Sequence, residues 1–247
     1  MLEESENYFL IQIHGDSLSL PRNKEGVPFY LTYPELIRSS IEEIKKGKKI
    51  YLYNFSRGSI TINQVYQELL EKIGYFSRTG NILVIQIGVC DCAPRPIPYW
   101  LRNIIGTLPE KARTYAIKQI HTNRPLIQRA GIKWQMVPPR TFLEYYAKLL
   151  SVATKAFDRI YLINIAPTNP ETEMQSPGFS FQIEKYNSLI KEVVENMNNE
   201  KLRLLDVHSK IKNKTGELSL YINKDGVHIT VLAHRMYADM ILKDYRI

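Results

Sequence analysis

Only two cysteines stand among the 247 residues, Cys90 and Cys92, and two positions apart they are badly placed to bridge each other. A disulfide-stapled secreted scaffold is thereby excluded. So is a structural zinc site, because two thiols need further ligands and the five histidines are scattered. No apolar run reaches the 18 residues that a membrane span requires. The opening MLEESENYFLIQI is acidic and passes straight into a strand pattern, without the basic start, apolar stretch and small-residue cleavage site of a secretory signal. Repeats and low-complexity tracts are missing too. The expectation is a reduced, cytoplasmic protein with no metal and no cofactor. At 44% hydrophobic and 23% charged residues, the chain is long enough to bury a substantial core.

What the chain does have is positive charge, and it is unevenly placed. Of the net +8, the segment from Asp91 to Arg140 carries +7, with nine basic residues against two acids. Such a segment is either a solvated surface or a place that attracts an anion: an acidic glycan, a nucleotide-linked sugar, an acyl-CoA or nucleic acid. Nucleic acid is the weakest of these, since no nucleic-acid-binding motif accompanies the charge.

Apolar, β-branched runs alternate with amphipathic stretches along the rest of the chain. Strands are expected at 8–14, 48–56, 81–89, 159–167 and 201–208. Helices are expected at 32–47, 61–76, 141–159, 181–199 and 229–245. NILVIQIGV (81–89) is apolar through most of its length, as the middle of a doubly covered sheet should be. Five alternations predict an α/β fold: a five-stranded parallel sheet between two helix layers, formed by residues 1–247 as one domain. Segment 91–140 is far longer than an ordinary βα loop and reads as a basic, mostly helical insertion forming part of the substrate site. LRNII and KARTYAIKQI look helical within it, and seven prolines argue against one continuous helix.

Ligands of open α/β sheets bind beyond the C-terminal ends of the strands. Four loops meet there: Gly15-Asp16-Ser17 after strand 1, Asn54 to Ser59 after strand 2, Gly88 to Cys92 after strand 3, and Asp225-Gly226-Val227-His228 before the last helix. A hydroxyl, a glycine loop, an acid and an Asp/His pair are the parts of a nucleophilic hydrolase site. Each is weak alone: Gly-Asp-Ser is also an ordinary turn, Asp-Gly a turn signal, and His228 an unremarkable helix-start residue.

In order and at these spacings, the blocks resemble those of the SGNH (GDSL-type) hydrolase family, and they span residues 15 to 241. Gly15-Asp16-Ser17 matches the first block, Gly58 in NFSRGS the second, and DGVHITVLAHRMYADMI the last. The third, Gly-x-Asn-Asp, aligns with Gly88-Val89-Cys90-Asp91, so Cys90 stands where the family has asparagine. The resemblance implies a flavodoxin-like α/β/α fold and a serine esterase, with Ser17 as nucleophile, His228 as base and Asp225 as its orienting acid. It also implies an oxyanion hole of the Ser17 and Gly58 amides and the residue at 90, where a thiol is a weak donor.

Asp16, Asp91 and Arg95 are candidate substrate contacts, with Arg95 a candidate replacement for the missing donor. His14, His121 and His208 have no matching role, and His234 reads as structural. A nucleophilic Cys90 is a further reading. Three functions follow: an esterase removing acetyl or similar small acyl groups from a carbohydrate; a saccharide O-acyltransferase using acyl-CoA; and a non-catalytic binder of an anionic glycan or nucleic acid. The insertion's aromatics, Tyr99, Trp100, Tyr115 and Trp134, suit sugar stacking.

Overall fold

The computed structural model describes residues 8–73, 80–131, 134–214 and 218–245. Its elements are β1 (Tyr8–Gly15), α1 (Tyr33–Ile44), β2 (Lys49–Asn54), α2 (Ile62–Ile73), β3 (Gly80–Gln86), α3 (Val89–Cys92), α4 (Tyr99–Gly106), α5 (Glu110–Arg129), α6 (Pro139–Ala156), β4 (Phe157–Ile163), α7 (Pro170–Gln175), α8 (Phe179–Met197), β5 (Leu202–Leu205), α9 (Val207–Lys212), α10 (Leu218–Tyr221) and α11 (Val231–Tyr245).

The five strands are all parallel, in the order β2-β1-β3-β4-β5, with Ile11 opposite Ile82 across β1 and β3 and Ile82 opposite Arg159 across β3 and β4. Right-handed crossovers put α1 and α11 together on one face, and α2, α6 and α8 in a packed row on the other. This is the expected three-layer, flavodoxin-like arrangement. Ile82, Leu83, Val84 and Ile85 of β3 are all fully buried, because helices cover both faces of that strand. At the sheet edge β2 leaves Lys49, Tyr51 and Tyr53 exposed. In α8 the buried Ile183, Tyr186, Ile190 and Val193 repeat every three or four residues and make the stripe that meets the sheet.

Two expectations are corrected, and in the insertion, as expected, there is no single continuous helix. The third strand stops at Gln86, and Val89–Cys92 turns into a short helix. The fifth stops at Leu205, because the Asp206 side chain accepts the Ser209 amide at 2.9 Å and caps α9, where a strand through His208 was expected. In the insertion, α5 runs through Pro125 for 20 residues. Bonds from Arg124 and Gln128 to the Pro94 carbonyl, both at 3.0 Å, hold the turn that the proline weakens. The second helix ends at Ile73 among the described residues, and the rest of its expected span, 74–76, lies outside them.

Strand order reverses between β1 and β3, whose following helices lie on opposite faces. The crevice at such a switch point is where open α/β sheets bind ligands, and the loops after β1 and β3 form its two lips.

Candidate active site

Ser17 sits one residue past the Asp16 that follows β1, at the start of a 3-10 turn, Ser17–Ser19. Asp16 caps the turn by accepting the Leu18 amide at 2.9 Å, and its own amide donates to the Gln86 carbonyl of β3 at 3.1 Å. Buried Ser19 donates to Gln86 Oε1 at 2.9 Å and shares a 2.6 Å bond with the Tyr33 hydroxyl. The turn is thus pinned to β3 and to the start of α1, while the Ser17 hydroxyl stays half-exposed. Gly15 is required by close approach: a Cβ there would lie 2.6 Å from Ser19 Oγ and 3.0 Å from the Gln86 carbonyl.

The turn before α11 supplies the partner. Ser17 Oγ lies 2.9 Å from His228 Nε2 across 211 residues of sequence, and His228 Nδ1 is bonded to Asp225 Oδ2. The other oxygen of Asp225 accepts the amides of Val227 and His228, at 3.0 and 2.9 Å. Burial works against the charge on Asp225, but the His228 ring and these two amides outweigh it and hold the carboxyl well below the usual range. An ionised acceptor at Nδ1 requires the proton there, which leaves Nε2 with its lone pair toward the serine. Gly226 makes the turn possible with φ +69, and a Cβ there would lie 2.0 Å from Thr172 Oγ1. Thr168 donates to the Gly226 carbonyl at 2.7 Å and Thr172 to that of Asp225 at 3.0 Å, tying the turn to the loop leading into α7 and to α7 itself.

The other expected residues fall differently. Gly58 lies in an exposed turn with Ser59, whose φ is +61. The Ser59 backbone acts on the Cys90 thiol, so the loops after β2 and β3 come together there. Burial, reinforced by the Asp16 carboxyl, pushes the Cys90 thiol up to about 12. That overturns a nucleophilic Cys90, since the reactive thiolate is suppressed.

Asp16 and Asp91, expected to touch substrate, are 1% and 0% exposed. Asp91 Oδ1 accepts the Ile62 amide at 2.9 Å and caps α2, so both carboxyls hold backbone from inside. His234 is structural as read: its Nδ1 accepts the Tyr33 amide at 3.1 Å.

Burial raises Asp16 and Asp91 from 3.8 to about 7 and lowers His14 and His234 from 6.5 to about 4. Between pH 4 and 7 the folded acids keep protons that the unfolded chain has released, so their contribution to stability falls as pH rises. The two histidines do the reverse between pH 4 and 6.5, where the unfolded chain binds the extra protons. The slopes oppose each other. Asp16→Asn removes one acid and keeps a capping oxygen, so its stability relative to the parent should rise from pH 5 to pH 8 by on the order of 2 kcal/mol. Urea unfolding at the two pH values measures this, and an unchanged difference would rule it out.

Arg22 was not singled out from sequence. Its Nη1 lies 2.9 Å from His228 Nε2, and its Nε donates to Glu25 Oε2 at 2.7 Å. Asn223 donates to that same oxygen at 3.2 Å. No motif marks an arginine five residues after the serine; only the 3-10 turns at Ser17–Ser19 and Asn23–Glu25 bring it round. Ligand atoms of Glu25, Asp225 and His228 lie within 4.8 Å of one another, close enough to share a cation, although each residue is already hydrogen-bonded.

Arg95 pairs in a backbone bridge with Trp134, and its Nη2 donates to Met136 Sδ at 3.5 Å. It faces the interior of the insertion, while its charge still acts on the Cys90 thiol. Trp100 and Trp134 are exposed. No helix among the described residues is long and apolar enough to cross a membrane.

No protein-family model matches the chain, and no curated protein matches it. Solved structures do. A lipase/acylhydrolase from Enterococcus faecalis superimposes with a TM-score of 0.65 at 13% identity, over 96% of this chain and 94% of that one. A catalytic mutant of an acetylxylan esterase from Geobacillus stearothermophilus gives 0.62 at 14% identity, with the same coverage of both chains. An alpha/beta hydrolase enzyme from the metagenome of Lake Arreo, Spain, gives 0.62 at 13%, again over 96% and 94%. The fold is therefore one that lipases and acetylxylan esterases also have.

Proposed function

We propose that this chain is a serine-dependent carboxylic-ester hydrolase of the SGNH type, removing acetyl or similar small acyl groups from a carbohydrate. The observation that carries the reading is the bonded series Ser17 Oγ, His228 Nε2, His228 Nδ1, Asp225 Oδ2 at the lip of the switch-point crevice. As Ser17 Oγ attacks the acyl carbon, His228 Nε2 takes its proton and Asp225 holds the imidazolium. The amides of Ser17 and Gly58 stabilise the oxyanion. On collapse the sugar oxygen leaves with the proton from His228, and the acyl group stays on Ser17. Water, deprotonated by His228, then releases the acid and restores the serine. The sugar is inferred from the exposed Trp100 and Trp134 and from the acetylxylan esterase among the similar folds.

The test is mass spectrometry of protein quenched during turnover of a panel of acyl donors. A mass increase equal to the acyl group, localised to Ser17, is expected, and an adduct on any other residue defeats the proposal. A saccharide O-acyltransferase would use the same acyl-enzyme and differ only in the acceptor. The cationic insertion favours it by offering a place for the phosphates of an acyl-CoA. Partition of the acyl group between water and added sugar alcohols separates the two.

A further inference from the structure

The insertion encloses a cavity of about 310 Å³, at the small end of ligand sites, which run roughly 300–1,000 Å³. Ile97, Ile105, Ile117 and Ile120 supply apolar lining. Arg95, Arg102 and Arg124 supply cationic lining, together with His121. Among the described residues no carboxylate lines it.

Arg95 and Arg124 are half-buried. Burial pulls both guanidiniums below their usual value, and a neighbouring cation adds to this, Arg102 for Arg95 and Arg95 for Arg124. Both Nε atoms are buried without a hydrogen-bond partner among the described residues. The bonds these side chains make go to neutral atoms: Arg95 to Met136 Sδ at 3.5 Å, and Arg124 to the Pro94 carbonyl at 3.0 Å and Ser176 Oγ at 2.8 Å. Buried cations are ordinarily paired with acids. Half-buried Arg95 and Arg124 and the exposed Arg102 share one cavity without an acid and repel one another, and a bound anion removes that repulsion.

Guanidinium groups match the planar fork of a carboxylate or the oxygens of a phosphate. Arg95 connects this cavity to the loop after β3, since it lines the cavity while its charge acts on Cys90. We infer that the cavity is an anion subsite, holding a phosphate or carboxylate carried by the ester on which Ser17 acts, with the isoleucines against the adjoining carbons. The inference rests on the ester-hydrolase reading only for what carries the anion.

Titration calorimetry of the whole chain with inorganic pyrophosphate, and separately with succinate, tests the subsite without any turnover. One saturable site is expected for at least one of them, and the tighter binder identifies phosphate or carboxylate as the group. Arg102 is exposed and its loss leaves the core intact, so Arg102→Ala should fold and bind about tenfold or more weakly. Lys118→Ala, on α5 in a different groove, should bind as the parent does. Absence of saturable binding by both anions, or equal weakening in the two variants, overturns the subsite. If the anions bind while no ester is hydrolysed, the hydrolase reading falls and the subsite stands. If esters are hydrolysed and neither anion binds, the subsite alone falls.

Discussion

Ser17→Ala is expected to lower kcat for an aryl acetate by roughly 10⁴- to 10⁶-fold, with thermal unfolding unchanged. The chemistry is lost because, among the described residues, no other hydroxyl shares the lone pair of His228 Nε2, which lies 2.9 Å from Ser17 Oγ. Stability is kept because that bond is made at a half-exposed position, while the turn is held by Asp16, Leu18 and Ser19. His228→Ala should cost about as much, and the double variant little more than either, since groups acting as one unit do not add. Steady-state turnover by all three decides it. A Ser17→Ala protein that keeps a tenth of the parent rate would remove the serine from the mechanism.

Cys90→Asn is expected to raise kcat, by up to the roughly 10²- to 10³-fold that one oxyanion donor contributes elsewhere. Burial keeps the Cys90 thiol protonated, with its pKa pushed up to about 12, and the Ser59 backbone lies close enough to act on it. A thiol donates weakly, so the hole is left with backbone amides alone. An asparagine oxygen can accept the Ser59 amide while its NH₂ turns to the oxyanion. Cys90→Ala is the control: it should cost little turnover if the sulfur gives little. A hundredfold loss in that control would make the thiol a working donor and reverse the argument.

These expectations start from residues whose placement was readable in the chain. Gly15-Asp16-Ser17 and Asp225 to His228 were located by the alternation of strands and helices, which puts both turns at one edge of the sheet. The apolar run of β3 marked the sheet's centre, because a strand covered on both faces has no polar side to alternate with. What was not legible depended on side chains meeting across the fold. Asp16 and Asp91 were read as substrate contacts, yet burial turns both inward to cap backbone amides. The prolines of the insertion argued against one continuous helix, and the insertion is indeed split into separate helices, although α5 itself runs through Pro125, held by tertiary bonds to Pro94. The charge of the insertion was visible as +7, but that Arg95, Arg102 and Arg124 converge on one cavity was not.

The bond from Arg22 to His228 gives the resting site an occupant. With Nδ1 protonated toward Asp225, Nε2 has one lone pair, and both the Ser17 hydroxyl and the Arg22 guanidinium stand 2.9 Å from it. A guanidinium does not act as a base or give up a proton at ordinary pH, so it occupies the lone pair without doing any chemistry. Once His228 carries the serine's proton, an N–H faces an N–H and two positive charges adjoin. Arg22 then has to swing away on its Glu25 tether. In the proposed mechanism, general-base catalysis by His228 would therefore be coupled to a displacement of the Arg22 side chain, which Glu25 holds in the resting structure.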